Sequence, residues 1–235
     1  MVDPARLPAH NAVPSDLALA VGHTLVVRFP RQVHAVSPGE TLYSIAARYG
    51  VTVRQLWRNN WSLGGGEAIY PGQDLVISYF DEKLGEGVFN GYAYPYIDPG
   101  LLNAQLPYVT YLTPFTYGIT ASGGLLPLED DALLAAARQR WTRPVMHLST
   151  LTESGQFSTD RAVLVLTDPE VQDQLVSDVL RTVRARGFAG VDVDFEYLPG
   201  AQAADYAAFL SRLQRLLHAQ GAFLWAALAP KTSAD

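Results

Sequence analysis

Apolar positions change their spacing along the chain, and each change marks a different kind of unit. A period-two run over residues 32–36 gives way to helical spacing at Leu42, Ile45 and Ala46, then to a second short helix over residues 53–60, and the chain returns to a strand at Asp74–Tyr79. Ser37 with Glu40 three residues on has the form of a capping box, Pro38 suits a first helical position, and Gly50 stops the helix after Tyr49. The glycine-rich loop 62–66 and the turn pair Pro71-Gly72 separate the second helix from the last strand. This order predicts a small βααβ unit over residues 31–80.

An offset of fifty aligns Gly22 with Gly72, Leu25 with Leu75, Val26 with Val76 and Val27 with Ile77. Residues 1–30 therefore read as the tail of a preceding copy of the same unit. An unrelated extended arm gives the same pattern, because glycine before a β-branched run is common.

After a linker at 81–87 the pattern alternates between strand and helix, which predicts βα units and a parallel sheet. Strands are expected at 88–94, 108–117, 144–148, 190–196 and 222–228. Two helices between them are clearly signalled. One opens at Asp168-Pro169, turns Val171, Leu175 and Val179 to one face and ends at Arg184, Arg186 and Gly187. The other runs over 203–220 with Tyr206, Leu210, Leu213 and Leu217 on one side.

Within the fourth expected strand the alternation carries chemistry. Asp192, Asp194 and Glu196 project to one face, and Val191, Val193 and Phe195 to the other. Carboxylates at i and i+2 push each other's pKa values apart, so one can stay protonated near neutral pH while another is ionised. A solvated edge strand or a calcium loop is the alternative, but calcium loops need glycine turns and irregular backbone, whereas this run is β-branched and regular.

Composition narrows the partners. A formal net charge of -6 lacks the basic excess that duplex binding needs, so nucleic acid is not expected. With no cysteine, no disulfide or thiolate metal site can form, and five scattered histidines have no ligand spacing. No metal or cofactor is called for. The first residues lack a basic and apolar leader, and no run reaches the ~18 apolar residues of a membrane span, so neither signal peptide nor span is expected in this chain.

The segments VHAVSPGETLYSIAARYGVTVRQLWRNN and YPGQDLVISY resemble the LysM domain nearly end to end. The run FAGVDVDFEYL resembles the D-G-x-D-x-D-x-E motif of glycoside hydrolase family 18. FNGYAYP, YVTYLTPFTYGI, PVMHLSTL and LWAALAPKT follow in the manner of its spore cortex-lytic N-acetylglucosaminidases. The resemblance implies an α/β fold: a partial (β/α)8 TIM barrel of about strands 1 to 5 over residues 88–235, preceded by a small α+β LysM domain. A closed barrel takes ~250 residues, more than the chain has after Val88, so the chain is expected to be truncated within the barrel and poorly active or inactive alone.

The same resemblance implies substrate-assisted retaining hydrolysis. Glu196 is the expected acid/base, Asp194 orients the sugar's 2-acetamido group, and Asp192 shares a hydrogen bond with Asp194. Tyr92 and Phe115 line the sugar subsite or are ordinary core aromatics. Ala189 stands where the family has its first aspartate, which removes an outer carboxylate and none of the inner three. His147 either faces the site or is a hydrogen-bonded structural residue, the more common case. In the LysM domain the implied glycan contacts are Gly39, Glu40, Thr41 and Leu42, with Ile69, Tyr70 and Pro71 opposite; for Leu42 and Ile69 plain core packing is the competing role. The expected function is a glycosidase of peptidoglycan, hydrolysing β-1,4 bonds at N-acetylglucosamine in spore cortex, associated with the spore coat, cortex or cell wall. A non-catalytic peptidoglycan- or chitin-binding protein on an incomplete barrel is the alternative, and a chitinase the minor one.

Overall fold

The computed structural model describes residues 27–80 and 85–228. The expected tail of a preceding repeat falls largely on residues 1–26, outside them. Two compact units form: one from the described residues up to Phe89 with Asp98–Val109, the other from Asn90–Ile97 and the described residues after Val109.

In the first unit, strand β1 (Pro30–Ala35), helices α1 (Leu42–Tyr49) and α2 (Val53–Asn59) and strand β2 (Asp74–Tyr79) follow in the expected order. β1 and β2 pair antiparallel. Leu42, Ile45, Leu56, Trp57, Leu75 and Ile77 form their shared core. Asn60 ties α2 to β2: its side-chain amide donates to the Leu56 and Val76 carbonyls, and its Oδ1 accepts from Val76 N–H. Buried backbone groups left unpaired cost ~1–3 kcal/mol each, so this residue does the work of a strand neighbour.

The cap of α1 differs from expectation. Thr41 is the N-cap and forms the capping box with Ser44, through Ser44 N–H to Thr41 Oγ1 at 3.1 Å and Thr41 N–H to Ser44 Oγ at 2.9 Å. Pro38 lies in the preceding turn, outside the helix. Glu40 still accepts from Ser37 N–H at 2.8 Å, but its carboxylate serves His34 at 2.6 Å and Arg48 at 2.7 Å. A threonine one residue before the apolar stripe outcompetes Ser37 because it stands directly at the first turn.

The second unit begins with strand β3 (Asn90–Ala93); helix α3 (Pro99–Gln105), next in the chain, belongs to the first unit, where Arg54 and Arg58 donate to the Pro107 carbonyl just beyond it. Then come β4 (Tyr111–Pro114), the short pair β5 (Gly118–Ile119) and β6 (Leu125–Leu126), α4 (Asp131–Gln139), β7 (Arg143–Pro144), β8 (Met146–Ser149), α5 (Thr159–Thr167), α6 (Pro169–Arg186), β9 (Gly190–Asp194), α7 (Ala203–His218) and β10 (Phe223–Ala226). β3, β4 and β7 form one parallel sheet, and β8, β9 and β10 another. The unit is mixed α/β. The strand expected at 144–148 is two short ones because the chain changes partner at Val145, from β4 to β9. The start of the run expected at 108–117 is lost to a helical turn at Leu106–Tyr108.

Asp168 caps α6 by accepting from Glu170 and Val171 N–H, Pro169 follows, and Gly187 ends the helix with φ +63°. The apolar face of β9 packs as the alternation requires: Val191, Val193 and Phe195 are buried with Leu175 and Val179 of α6 and Phe209, Leu213 and Leu217 of α7. Phe209, which the expected stripe omits, stacks on Phe195 at 5.7 Å and Leu210 is displaced to the margin. At ~1.5–3 kcal/mol per buried large side chain, this layer fixes which way β9 faces. Gly190 opens β9 because β10 approaches it closely: a Cβ there would stand 2.6 Å from the Phe223 carbonyl oxygen.

Candidate active site

With the apolar face of β9 committed to the helices, Asp192 and Asp194 turn to the other side of the sheet, and Glu196 follows just past the strand end. Asp192 is 2% exposed. On the neighbouring strands it is registered with His147 of β8 and Trp225 of β10, while Asp194 is registered with Ser149. From β3, Tyr92 donates its hydroxyl proton to Asp192 Oδ2 at 2.6 Å.

His147 is held on three sides. Its Nδ1 lies 2.6 Å from Thr116 Oγ1, the Phe115 ring lies against it at 4.7 Å, and the Tyr92 ring meets it edge-on at 5.6 Å. Its Nε2 stands 3.5 Å from Asp194 Oδ2. Asp194 Oδ1 is buried without a hydrogen-bond partner among the described residues.

These groups share a cavity of about 310 Å³, lined by Tyr92, Tyr94, Phe115, His147, Asp194 and Glu196. A second cavity of about 300 Å³, with Thr150, Phe157 and Tyr197 in its wall, shares Phe115, Asp194 and Glu196 with the first. Tyr197 has φ +56°, a conformation rare for an aromatic residue, directly after Glu196. Tyr94 and Tyr96 stack at 5.1 Å, with Tyr94 edge-on to Phe115.

Burial, then the charges of Glu196 and Asp192, push the Asp194 carboxyl group above its ordinary range. Burial drives the His147 imidazole down to about 4, against the opposing pull of Asp192, so it is neutral at pH 7. Partial burial and the Asp192 carboxylate raise the Tyr92 hydroxyl. The arrangement can hold a proton near Glu196 and Asp194 and present an acceptor oxygen to a donor in the cavity. Among the described residues no group of three or more metal-ligating side chains forms, and no helix is long and apolar enough to cross a membrane.

The fold thus brings Tyr92, Phe115, Asp192, Asp194 and Glu196 together. Thr116, Ser149, Tyr94 and Phe157 join them unannounced; the first three follow or close strands, and Phe157 comes from the loop before α5. In the other unit, Gly39, Thr41, Tyr70 and Pro71 are exposed, and Ile69 is partly buried. Leu42 is 1% exposed in the core, so its side chain packs and has no surface to offer a glycan. Backbone hydrogen bonds from Val36 N–H to Gln73 and from Gly72 N–H to Val36 join the two loops at their base.

Residues 34–78 match the LysM domain. Over 216 residues the chain is 32% identical to YdhD of Bacillus subtilis (strain 168), which carries the name of a sporulation-specific glycosylase; the match covers 90% of this chain and 50% of YdhD. The crystal structure of the spore cortex-lytic enzyme SleL of Bacillus megaterium QM B1551 matches with a TM-score of 0.71 and 26% identity, over 99% of this chain and 55% of SleL. A chitinase from Chromobacterium violaceum ATCC 12472 matches with a TM-score of 0.52 and 25% identity, over 60% of this chain and 45% of the chitinase. The chain therefore combines a LysM domain with a mixed α/β part similar to chitinase-type barrels, and it spans about half the length of the curated relatives it matches.

Proposed function

We propose that this chain belongs to a peptidoglycan glycosidase that hydrolyses β-1,4 bonds at N-acetylglucosamine, with spore cortex as the polymer and the spore or cell wall as its place of action. Its LysM domain, residues 31–80, holds the glycan, and residues 88–235 form about the first five strands of a (β/α)8 barrel, joined by the linker 81–87 and preceded by a repeat remnant at 1–30. The observation that carries this reading is the row Asp192, Asp194 and Glu196, backed by the buried Val191, Val193 and Phe195, with Asp194 and Glu196 opening on one cavity and Asp192 buried behind them.

In this reading Glu196 protonates the glycosidic oxygen while the carbonyl oxygen of the sugar's own 2-acetamido group attacks the anomeric carbon. The C–O bond to the leaving sugar breaks and an oxazolinium ion forms, so no protein nucleophile is needed. The Asp194 carboxyl group accepts from the acetamido N–H and its neighbourhood of carboxylates offsets the positive charge. Water, deprotonated by Glu196, then opens the ring with retention. Tyr92 and Phe115 bound the sugar. Asp192, bonded to Tyr92, sets the field on Asp194. On the LysM domain the glycan rests between Gly39 to Thr41 and Ile69 to Pro71, and tethering raises its local concentration at the site.

The test is release of reducing ends from purified cortex fragments by the protein carrying this chain, beside its Glu196→Gln variant and with chitin oligomers as a second substrate. Loss of release in the variant supports the reading; equal release from both removes Glu196 as the acid. Faster turnover of chitin oligomers than of cortex makes the enzyme a chitinase. Binding of both polymers with hydrolysis of neither makes the protein a glycan-binding one.

A further inference from the structure

We propose that His147 is the positioning residue of Asp194: one proton held between His147 Nε2 and Asp194 Oδ2 fixes the orientation of the carboxyl group in the cavity wall. The inference rests on the reading of Asp194 as the group that meets the sugar amide.

The Thr116 hydroxyl lies between His147 and Ser149. It has one proton, directed to Ser149 Oγ at 2.9 Å, with the Tyr117 and His147 carbonyls further off. With that proton on the Ser149 side, His147 Nδ1, 2.6 Å from the same oxygen, is the donor and carries the ring proton. Nε2 is left with a lone pair facing Asp194 Oδ2 at 3.5 Å. Two lone-pair groups facing each other repel unless a proton lies between them. In a site this buried the neutral pair is favoured over carboxylate and imidazolium, which leaves the proton on Asp194. A contact of 3.5 Å is at the outer limit of a hydrogen bond, and such contacts in unliganded sites shorten when substrate arrives.

The imidazole cannot swing away. Phe115 and Tyr92 hold its face and edge, and Asp192 stands opposite on β9. The consequence falls on the whole carboxyl group: with Oδ2 held by the ring and Oδ1 buried and unpartnered among the described residues, Asp194 keeps one orientation in the cavity wall. A serine or alanine at position 147 would leave Asp194 free to rotate.

The first measurement needs no catalysis. In protein labelled with 15N-histidine, the ring resonances of His147, assigned by their absence from His147→Gln, are compared with those in Asp194→Asn. Nδ1 protonation in the wild type, with an Nε2 resonance that moves in Asp194→Asn, is expected; an Nε2 resonance identical in the two proteins overturns the proposal. The second is kinetic. His147→Ala is expected to lower kcat on cortex fragments by about 100-fold with KM within about threefold, the effect of a reacting group displaced by about 1 Å. His147→Gln, whose amide reaches the same oxygen, restores part of the loss. An unchanged kcat and pH profile in His147→Ala overturns the positioning role. A wild-type protein that hydrolyses no glycan refutes the proposed activity instead, and the resonance comparison still decides the pairing.

Discussion

Tyr92 and Asp192, from strands β3 and β9, meet at 2.6 Å, the phenol donating to the carboxylate. This bond connects the two parallel sheets of the second unit across the face that carries the acids. Removing only its oxygen tests what the bond does. Tyr92→Phe is expected to cost about 1–3 kcal/mol of stability, because Asp192 Oδ2 loses its donor in a site that water reaches poorly. It is also expected to lower kcat about 10- to 100-fold, the rate equivalent of a hydrogen bond to a charged group. Urea unfolding and steady-state assay of the same preparation check both. An unaltered unfolding midpoint and rate show the bond to be idle.

Acid should weaken the fold through His147. Its folded pKa of about 4 lies below the unfolded histidine value near 6.5, so between the two the unfolded chain binds more protons. The stability is fully present above about pH 6.5 and is lost as pH falls towards 4, by about 3 kcal/mol in total. Asp194, raised by burial, acts with the opposite sign over its own window and offsets part of this. His147→Gln is expected to flatten the pH dependence of the unfolding free energy between pH 7 and 4.5. An identical slope in both proteins assigns the acid lability to another group.

Arg186 reaches the fully buried Asp130 and the exposed Asp131, and Tyr117 donates to Asp130 at 3.0 Å. Arg186→Ala takes from Asp130 its cationic partner and leaves the phenol and a backbone N–H. A loss of about 3–5 kcal/mol is expected, the cost of stripping one partner from a buried ion pair. Adding Asp130→Asn should recover part of it, which thermal unfolding of the single and double variants measures. Equal stability of the wild type and Arg186→Ala shows that the pair contributes nothing.

Binding through the LysM domain should depend on exposed residues and not on buried ones. Tyr70 is 69% exposed. Tyr70→Ala is expected to leave the melting temperature within about 2 °C, as exposed substitutions do, while reducing retention on insoluble peptidoglycan. Asn60→Ala, by contrast, should destabilise its unit by about 3 kcal/mol because three buried hydrogen bonds go at once. Undiminished retention of Tyr70→Ala in a pelleting assay excludes Tyr70 from the glycan surface.

What the sequence disclosed depended on how local the signal was. The facing of Asp192 and Asp194 was legible because strand alternation is a local rule, whereas the strand expected to reach 196 ends at Asp194 and Glu196 lies beyond it; the helix Pro169–Arg186 was legible because its cap and proline open it and a glycine closes it. The short helices Pro99–Gln105, Asp131–Gln139 and Thr159–Thr167 were not located, since seven to nine residues barely complete two helical turns of pattern. Leu42 shows the limit differently: the sequence left glycan contact and core packing both open for it, and its side chain lies in the core. His147 was read as more often structural because nothing in the sequence placed Thr116 and Asp194 on either side of its ring. The register of β8 against β9 brings Asp194 to it, and the parallel bridge of Tyr117 to Leu148 brings Thr116.

Gly190 carries no chemistry, yet a methyl group there would collide with the ring and carbonyl of Phe223. The strand bearing the acids can lie against its neighbour only while that position stays bare. A saturation screen for loss of activity would therefore rank Gly190 beside Glu196, although one answers to crowding and the other, in the proposed mechanism, to proton transfer. Only a readout of folding, taken alongside, would tell the two kinds of intolerance apart.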